Sequence, residues 1–214
     1  MRLLLLARHA GPDPGAPARA LNAARGLASH GHEVRLLACA RAGEPLDETI
    51  EGVRVERVPD PPPMIPDWDQ VSRSLQDGMV LFERGISSLL AQPADLLVGM
   101  GWPVATAAVG LRRSFETPLV ALLEPRRIAR RRRRWGRGDV LIEETERWLA
   151  SGSARVVVRS SAARAVVIEQ LAIPAERVRV IAGSKGAGAR LAGVCSEALN
   201  APITIGDARR ALAR

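Results

Sequence analysis

The run from Glu143 to Ile181, EETERWLASGSARVVVRSSAARAVVIEQLAIPAERVRVI, limits the fold more than any other part of the chain. Arg155 to Val158 is a β-branched run too short for a helix. Ser160 and Ser161 stand where a helix needs a side-chain cap for its first free N–H groups. Ala162 to Leu171 is a run of helix formers, and Pro174 stops it. Val178, Val180 and Ile181 open a second strand. Strand, helix and strand in fewer than 30 residues make a right-handed crossover between parallel strands. A parallel sheet is buried on both faces. The rest of the chain must therefore supply more strands, and helices for each face.

It does so in alternation. Arg2 to Ala7 reads as a first strand, and Gly11 to Pro17 (GPDPGAP) as a loop. Ala18 to Ser29 reads as a helix, with Leu21, Ala24 and Leu27 in phase and Gly31 as its stop. Val34 to Ala38 is the second strand. Val53 to Val58 alternates apolar and charged residues, which predicts an exposed strand nearer the sheet edge. Asp60 to Pro66 is a stiff, extended connection. Asp67 to Ala91 reads as a helix with Val71, Leu75, Met79, Phe82, Ile86 and Leu90 as its apolar stripe. Asp95 to Val98 and Leu119 to Leu123 are strands, and Pro103 to Arg112 is a helix between them. A further helix ends at Ala150. The expected fold is α/β: a doubly wound, mostly parallel, Rossmann-like sheet of about seven strands with helices on both faces. Residues 1–183 are expected to form this domain. The four glycines between Ala182 and Gly193 read as a flexible linker. Leu191 to Leu199 and Asp207 to Arg214 read as short helices, so residues 184–214 form a linker and a small helical tail.

Composition narrows the function classes. The apolar fraction of 47% supplies a core, and with two Phe, four Trp and no Tyr that core must be aliphatic. Lys185 is the sole lysine, so the net charge of +8 is an arginine charge. Codon bias toward arginine explains it well enough that nucleic acid is not an expected partner. Cys39 and Cys195 are too few for a disulfide framework or a zinc site. His9, His30 and His32 lack a metal-ligand spacing, and no metal or cofactor is expected. The apolar run Leu3 to Ala7 is too short for a signal peptide, and no stretch approaches the ~20 apolar residues of a membrane span. A cytoplasmic location is expected.

Several motifs carry a resemblance. MRLLLLAR, followed by ALNAARGLASHGHEVRLLA, resembles the opening strand, loop and turn of glycosyltransferase family 4-like enzymes of GT-B architecture. DLLVGMGW resembles that family's strand before a Gly-Trp pair: Gly101 and Trp102 match, while Val98 and Met100 stand at two usual histidine positions. LVALLEP resembles the strand that usually ends in histidine, here Glu124. The run from Glu143 to Ile181 resembles the end of the family's N-terminal domain. Ile181 to Ser184 (IAGS) replaces its Ile-Pro-Asn-Gly-Val-Asp.

The resemblance implies the acceptor-side half of a hexosyltransferase that uses a nucleotide-sugar donor. No counterpart of the family's second, nucleotide-binding domain is seen, so the chain alone should be inactive. Gly11, Gly15, Gly101 and Trp102 are the implied acceptor- or phosphate-binding residues, since glycines let backbone N–H groups approach a phosphate. Gly15 alone takes the place of the usual Gly-Gly pair, and an ordinary loop is the alternative. Glu124 is the implied catalytic residue, as a base or a partner for acceptor hydroxyls. Its alternative is a surface ion pair with Arg126 or Arg127. The loop 126–137 holds eight arginines. Arg130, Arg131, Arg132, Arg133 and Arg134 beside Trp135 suit an anionic membrane surface, with a solvated loop as the alternative. The expected partners are a separate nucleotide-sugar-binding subunit or a second copy of the chain. The expected location extends to the inner membrane face. The other reading is a degenerate, non-catalytic domain that binds a partner protein or a membrane.

Overall fold

The computed structural model describes residues 1–11, 19–59, 70–124, 137–183 and 186–201. Its strands are β1 (Arg2–Leu6), β2 (Glu33–Cys39), β3 (Asp47–Ile50), β4 (Val53–Val58), β5 (Leu96–Met100), β6 (Leu119–Leu122), β7 (Arg155–Val158) and β8 (Val178–Val180). Its helices are α1 (Arg19–Ala28), α2 (Gln70–Ala91), α3 (Ala105–Phe115), α4 (Arg137–Ser151), α5 (Ser161–Glu169) and α6 (Ala187–Leu199). The strands form one sheet in the order β3-β4-β2-β1-β5-β6-β7-β8. Every pairing is parallel except β3 with β4. This is the doubly wound α/β architecture expected from the alternation of elements.

Parity along each strand divides the core. Leu4, Leu6, Leu97, Leu119, Ala121 and Val156 pack under α2, α3, α4 and α5. Leu3, Leu5, Leu36, Val98, Val120 and Val157 pack under α1 and α6. The signals read around residue 160 hold. Ser160 caps α5 by accepting the Ala163 N–H at 3.1 Å. Gly31, in the left-handed region at φ 78°, follows α1 as its stop.

Four expectations need correction. First, β3 is an eighth strand. Glu51 and Gly52 both have positive φ, 48° and 81°. Two such residues make the tight turn whose twist suits a hairpin, so Ile50 pairs with Val53. Second, β4 is not exposed. Glu56 and Arg57 are buried, and only Arg54 of the strand is exposed. The β3 hairpin supplies Arg57 with Glu48, Glu44 and the Pro45 carbonyl. Third, α2 presents a different face. Met79 and Leu90 of the expected stripe are 60% and 71% exposed, while Asp77, Gly78, Leu81, Gly85, Ser88 and Leu89 are buried. The face is turned by about one residue because glycines allow α3 to approach. A Cβ on Gly85 would lie 2.4 Å from Leu111 Cδ1. Fourth, Ala187 to Gly193 is helical rather than a linker. Leu191, Val194, Cys195 and Ala198 of α6 are buried in the α1-side core.

Asp95, just before β5, pins that strand to β1. Its Oδ2 accepts the Arg2 backbone N–H at 2.7 Å, and its Oδ1 accepts the Arg2 guanidinium at 3.0 Å. These bonds, the backbone one first, hold its pKa below the ordinary carboxylate value. A depressed folded pKa adds stability above the unfolded-state pKa, and that stability is lost as pH falls through the folded value. Asp95→Asn should therefore be less stable than wild type at pH 7. The two proteins should converge in urea titrations as pH falls through the folded-state pKa of Asp95. A constant difference from pH 7 to 2 would contradict this.

Candidate functional site

In an open α/β sheet, ligands bind beyond the carboxyl ends of the strands, where the strand order reverses. Here the reversal lies between β1 and β5. From β1 the chain passes through α1 to β2 on one side. From β4 it passes through α2, on the opposite face, to β5 on the other side. The loops after β1 and β5 flank the resulting crevice.

Gly11 lies after β1. A Cβ there would fall 3.3 Å from Glu44 Oε1 and 3.7 Å from Arg41 Nη1, so this glycine allows close contact with the loop after β2. Gly101 lies after β5, with φ 77° and ψ 172°, a region suited to glycine. Its N–H donates to the Leu122 carbonyl at 2.9 Å, which ties the loop to β6. Trp102 then opens one helical turn, Trp102–Val104, that runs directly into α3. Trp102 is only 7% exposed and packs with Ile142 of α4. Glu124 lies after β6, on the α1 side of the sheet. Its carboxylate accepts from Arg19 at the start of α1 and lies 3.9 Å from Arg159, after β7. Val98 is fully buried and Met100 partly so, both against the α1-side core.

The structure thus brings Gly11, Gly101, Trp102 and Glu124 to one sheet edge. Gly15, the arginines Arg130 to Arg134 and Trp135 lie outside the described residues, as do Arg126 and Arg127. Sequence reasoning did not single out Arg19 and Arg159 beside Glu124. It also missed Arg8 and Asp77. Arg8 follows β1, and its Nε donates to Asp77 Oδ2 on α2 at 2.8 Å. The available signal was weak: a cation two residues after a buried strand, and one of two acids in an amphipathic helix.

Away from this edge, a groove of about 490 Å³ is lined by Arg25, Ser29, His32, Glu51 and neighbouring glycines. It sits at the opposite, N-terminal end of the strands. Burial, then the chain's N-terminus and His30, lower the pKa of His32. Neither of its ring nitrogens has a partner among the described residues. Among the described residues, no three His, Cys, Asp or Glu side chains gather as metal ligands. No described helix is long and apolar enough to cross a membrane.

Comparison with known proteins agrees with this fold. A sucrose-phosphate synthase from Thermosynechococcus elongatus, in a form designated 27_220_406_426, superimposes with a TM-score of 0.67 at 14% identity. That match covers 92% of this chain and 98% of the other. A second structure of that synthase gives 0.67 at 15% identity, covering 85% of this chain and 47% of the other. Arabidopsis thaliana UGT89C1, complexed with UDP-L-rhamnose, gives 0.59 at 14% identity over 84% of this chain and 51% of its own. These identities establish a shared fold. Apart from the 27_220_406_426 form, this chain spans about half the length of these proteins. No curated protein sequence matches. The model of the Glycosyl transferase 4-like domain matches residues 15–183, well over half of the chain. The chain therefore belongs to the glycosyl transferase 4-like domain family.

Proposed function

We propose that residues 1–214 act as the acceptor-binding half of a glycosyltransferase. Sugar transfer from a nucleotide-sugar donor would require a nucleotide-gripping domain outside these residues. One observation carries this reading: the chain corresponds to about half of the related enzymes, 47% of the synthase and 51% of UGT89C1. The complex of UGT89C1 with UDP-L-rhamnose supports the nucleotide-sugar class for the donor. The residues at the crevice support a binding role over a proton-transfer role. Val98 and Met100 have no proton to exchange. Glu124 is already engaged by two guanidiniums. In this reading it orders the rim, with Arg19 and Arg159 presented beside the crevice.

Calorimetry with UDP-, GDP- and dTDP-sugars, together with assays of product release, tests the proposal. The isolated chain should show neither micromolar donor binding nor sugar release. Polyhydroxylated acceptors should raise the melting temperature of the wild type more than that of Gly101→Val, which blocks the loop. Micromolar binding of any donor to the purified chain would overturn the assignment of the donor grip to another domain.

A further inference from the structure

The Arg8–Asp77 pair is built in a way that stability alone does not explain. Leu4 and Leu6 of β1 face the α2 side of the sheet, and Arg8 follows with the same parity. Its guanidinium reaches Asp77, whose side chain is 1% exposed. Arg8 holds one carboxylate oxygen at 2.8 Å. The other, Oδ1, is buried with no hydrogen-bond partner among the described residues. Burying a carboxylate with an idle oxygen costs free energy that an apolar residue of similar size would not. A buried unsatisfied group of this kind calls for an explanation, and a functional role is one.

Asp77 engages Arg8 only through Nε. Nη1 and Nη2 of Arg8 have no partner among the described residues, and the side chain keeps 24% exposure. That outer edge is a planar pair of donors that matches phosphate or carboxylate oxygens. Its position is also telling. Arg8 lies two residues after β1, on one flank of the reversal point. Gly78, next to Asp77, lies so near the Trp102–Val104 turn that a Cβ would fall 3.1 Å from the Pro103 oxygen. Neither that turn nor α3 behind it has a side-chain cap, so the positive end of α3 lies on the same flank.

We infer that Arg8, aimed by the buried Asp77, binds an oxyanion on the acceptor, either a phosphate monoester or a carboxylate. Asp77 is a positioning residue and Arg8 the contact. The inference rests on the acceptor-half reading and narrows it to charged acceptors.

The full chain should be titrated by calorimetry with glucose 6-phosphate, glucuronate, glucose and UDP. One of the two charged sugars should bind roughly tenfold or more tightly than glucose, a preference that salt weakens. Which of them wins identifies the oxyanion. Arg8→Gln should remove the preference while leaving glucose affinity unchanged, and it should lower the melting temperature because Asp77 is then buried without its cation. Arg8→Lys, which keeps the charge without the fork, should restore part of it. Equal binding of charged and neutral sugars by the wild type would overturn the inference. So would an Arg8→Gln protein that keeps the preference, or one that loses glucose binding as well. UDP bound more tightly than either charged sugar through Arg8 would assign the residue to a donor and overturn it as well. Failure of the acceptor-half reading looks different: a nucleotide sugar binds the isolated chain, and Arg8→Gln leaves that binding unchanged.

Discussion

A chain ending at Gly183 is expected to aggregate or to lose its cooperative unfolding transition. Only α1 and α6 cover one face of the sheet in the described structure, and α6 reaches β6 and β7. Its Leu191, Val194, Cys195 and Ala198 are all buried. Burying a Leu or Val side chain contributes about 1.5–3 kcal/mol. The helix as a whole then accounts for about 5 kcal/mol, against a typical total of about 5–15 kcal/mol. Its removal would also bare Val120 and Val157 as one apolar strip, and strips of that kind associate. A milder variant gives the same sign. A Cβ on Gly188 would sit 2.7 Å from the Gly26 carbonyl oxygen and 2.8 Å from its Cα. Both are backbone atoms with no rotamer to yield. Gly188→Val should therefore push α6 off α1 and cost about 1–3 kcal/mol, more than any gain from replacing glycine. Light scattering and thermal circular dichroism would show the effect. A monomeric truncated chain with an unchanged transition would refute it.

Arg35→Ala is expected to cost about 3–5 kcal/mol, or on the order of 10 °C in melting temperature. Arg35, on β2, is almost fully buried under α2. It donates to the Ser88 carbonyl at 3.0 Å, to Ser88 Oγ at 2.6 Å and to the Gln92 carbonyl. It also lies 3.8 Å from Glu56 on β4, which is 2% exposed. Burial pulls the Arg35 pKa down, and the Glu56 charge acts against that pull. Without Arg35, Glu56 would keep among the described residues only the solvent-exposed Arg54 and Arg84, at 3.5 and 3.8 Å. A buried carboxylate left that way is costly, whereas replacing both partners is not. The double variant Arg35→Met, Glu56→Met should recover much of the loss. Urea titrations of the two single variants and the double complete the cycle. Additive losses would show that the pair is not coupled.

These two predictions mark where the sequence was legible and where it was not. The crossover around residue 160 was readable because a β-branched run, a serine cap and a proline stop are all local signals. The charged pattern of β4 misled for the opposite reason. Glu56 and Arg57 are buried only because β2, α2 and the β3 hairpin bring them partners from elsewhere in the chain. The Glu51-Gly52 pair was the visible sign of that hairpin. On α2, the largest apolar residues marked the wrong stripe. Close approach to α3 selected Gly78 and Gly85, and ion pairs selected Asp77, properties that hydrophobic periodicity does not record. At the candidate site, Gly101 and Glu124 could be placed at strand ends from the sequence. Their company could not: Arg19 lies 105 positions from Glu124. Arg8 lies 69 positions from Asp77. Pairings at that separation are a product of topology.

The two outer strands have a consequence for how the molecule meets others. β3 is four residues long, DETI, and turns back on β4 in the antiparallel sense. At the far side, β8 is three residues long and carries Arg179, which is tied to Glu197 of α6 at 2.9 Å. Short, charged margins of this kind give an incoming strand few backbone groups to pair with, and they set a charge in its way. Growth of the sheet from one molecule into the next is therefore discouraged at both ends. Contact with other molecules is left to the helical faces and to the rim above the strand ends, where side chains rather than backbone ladders decide what binds.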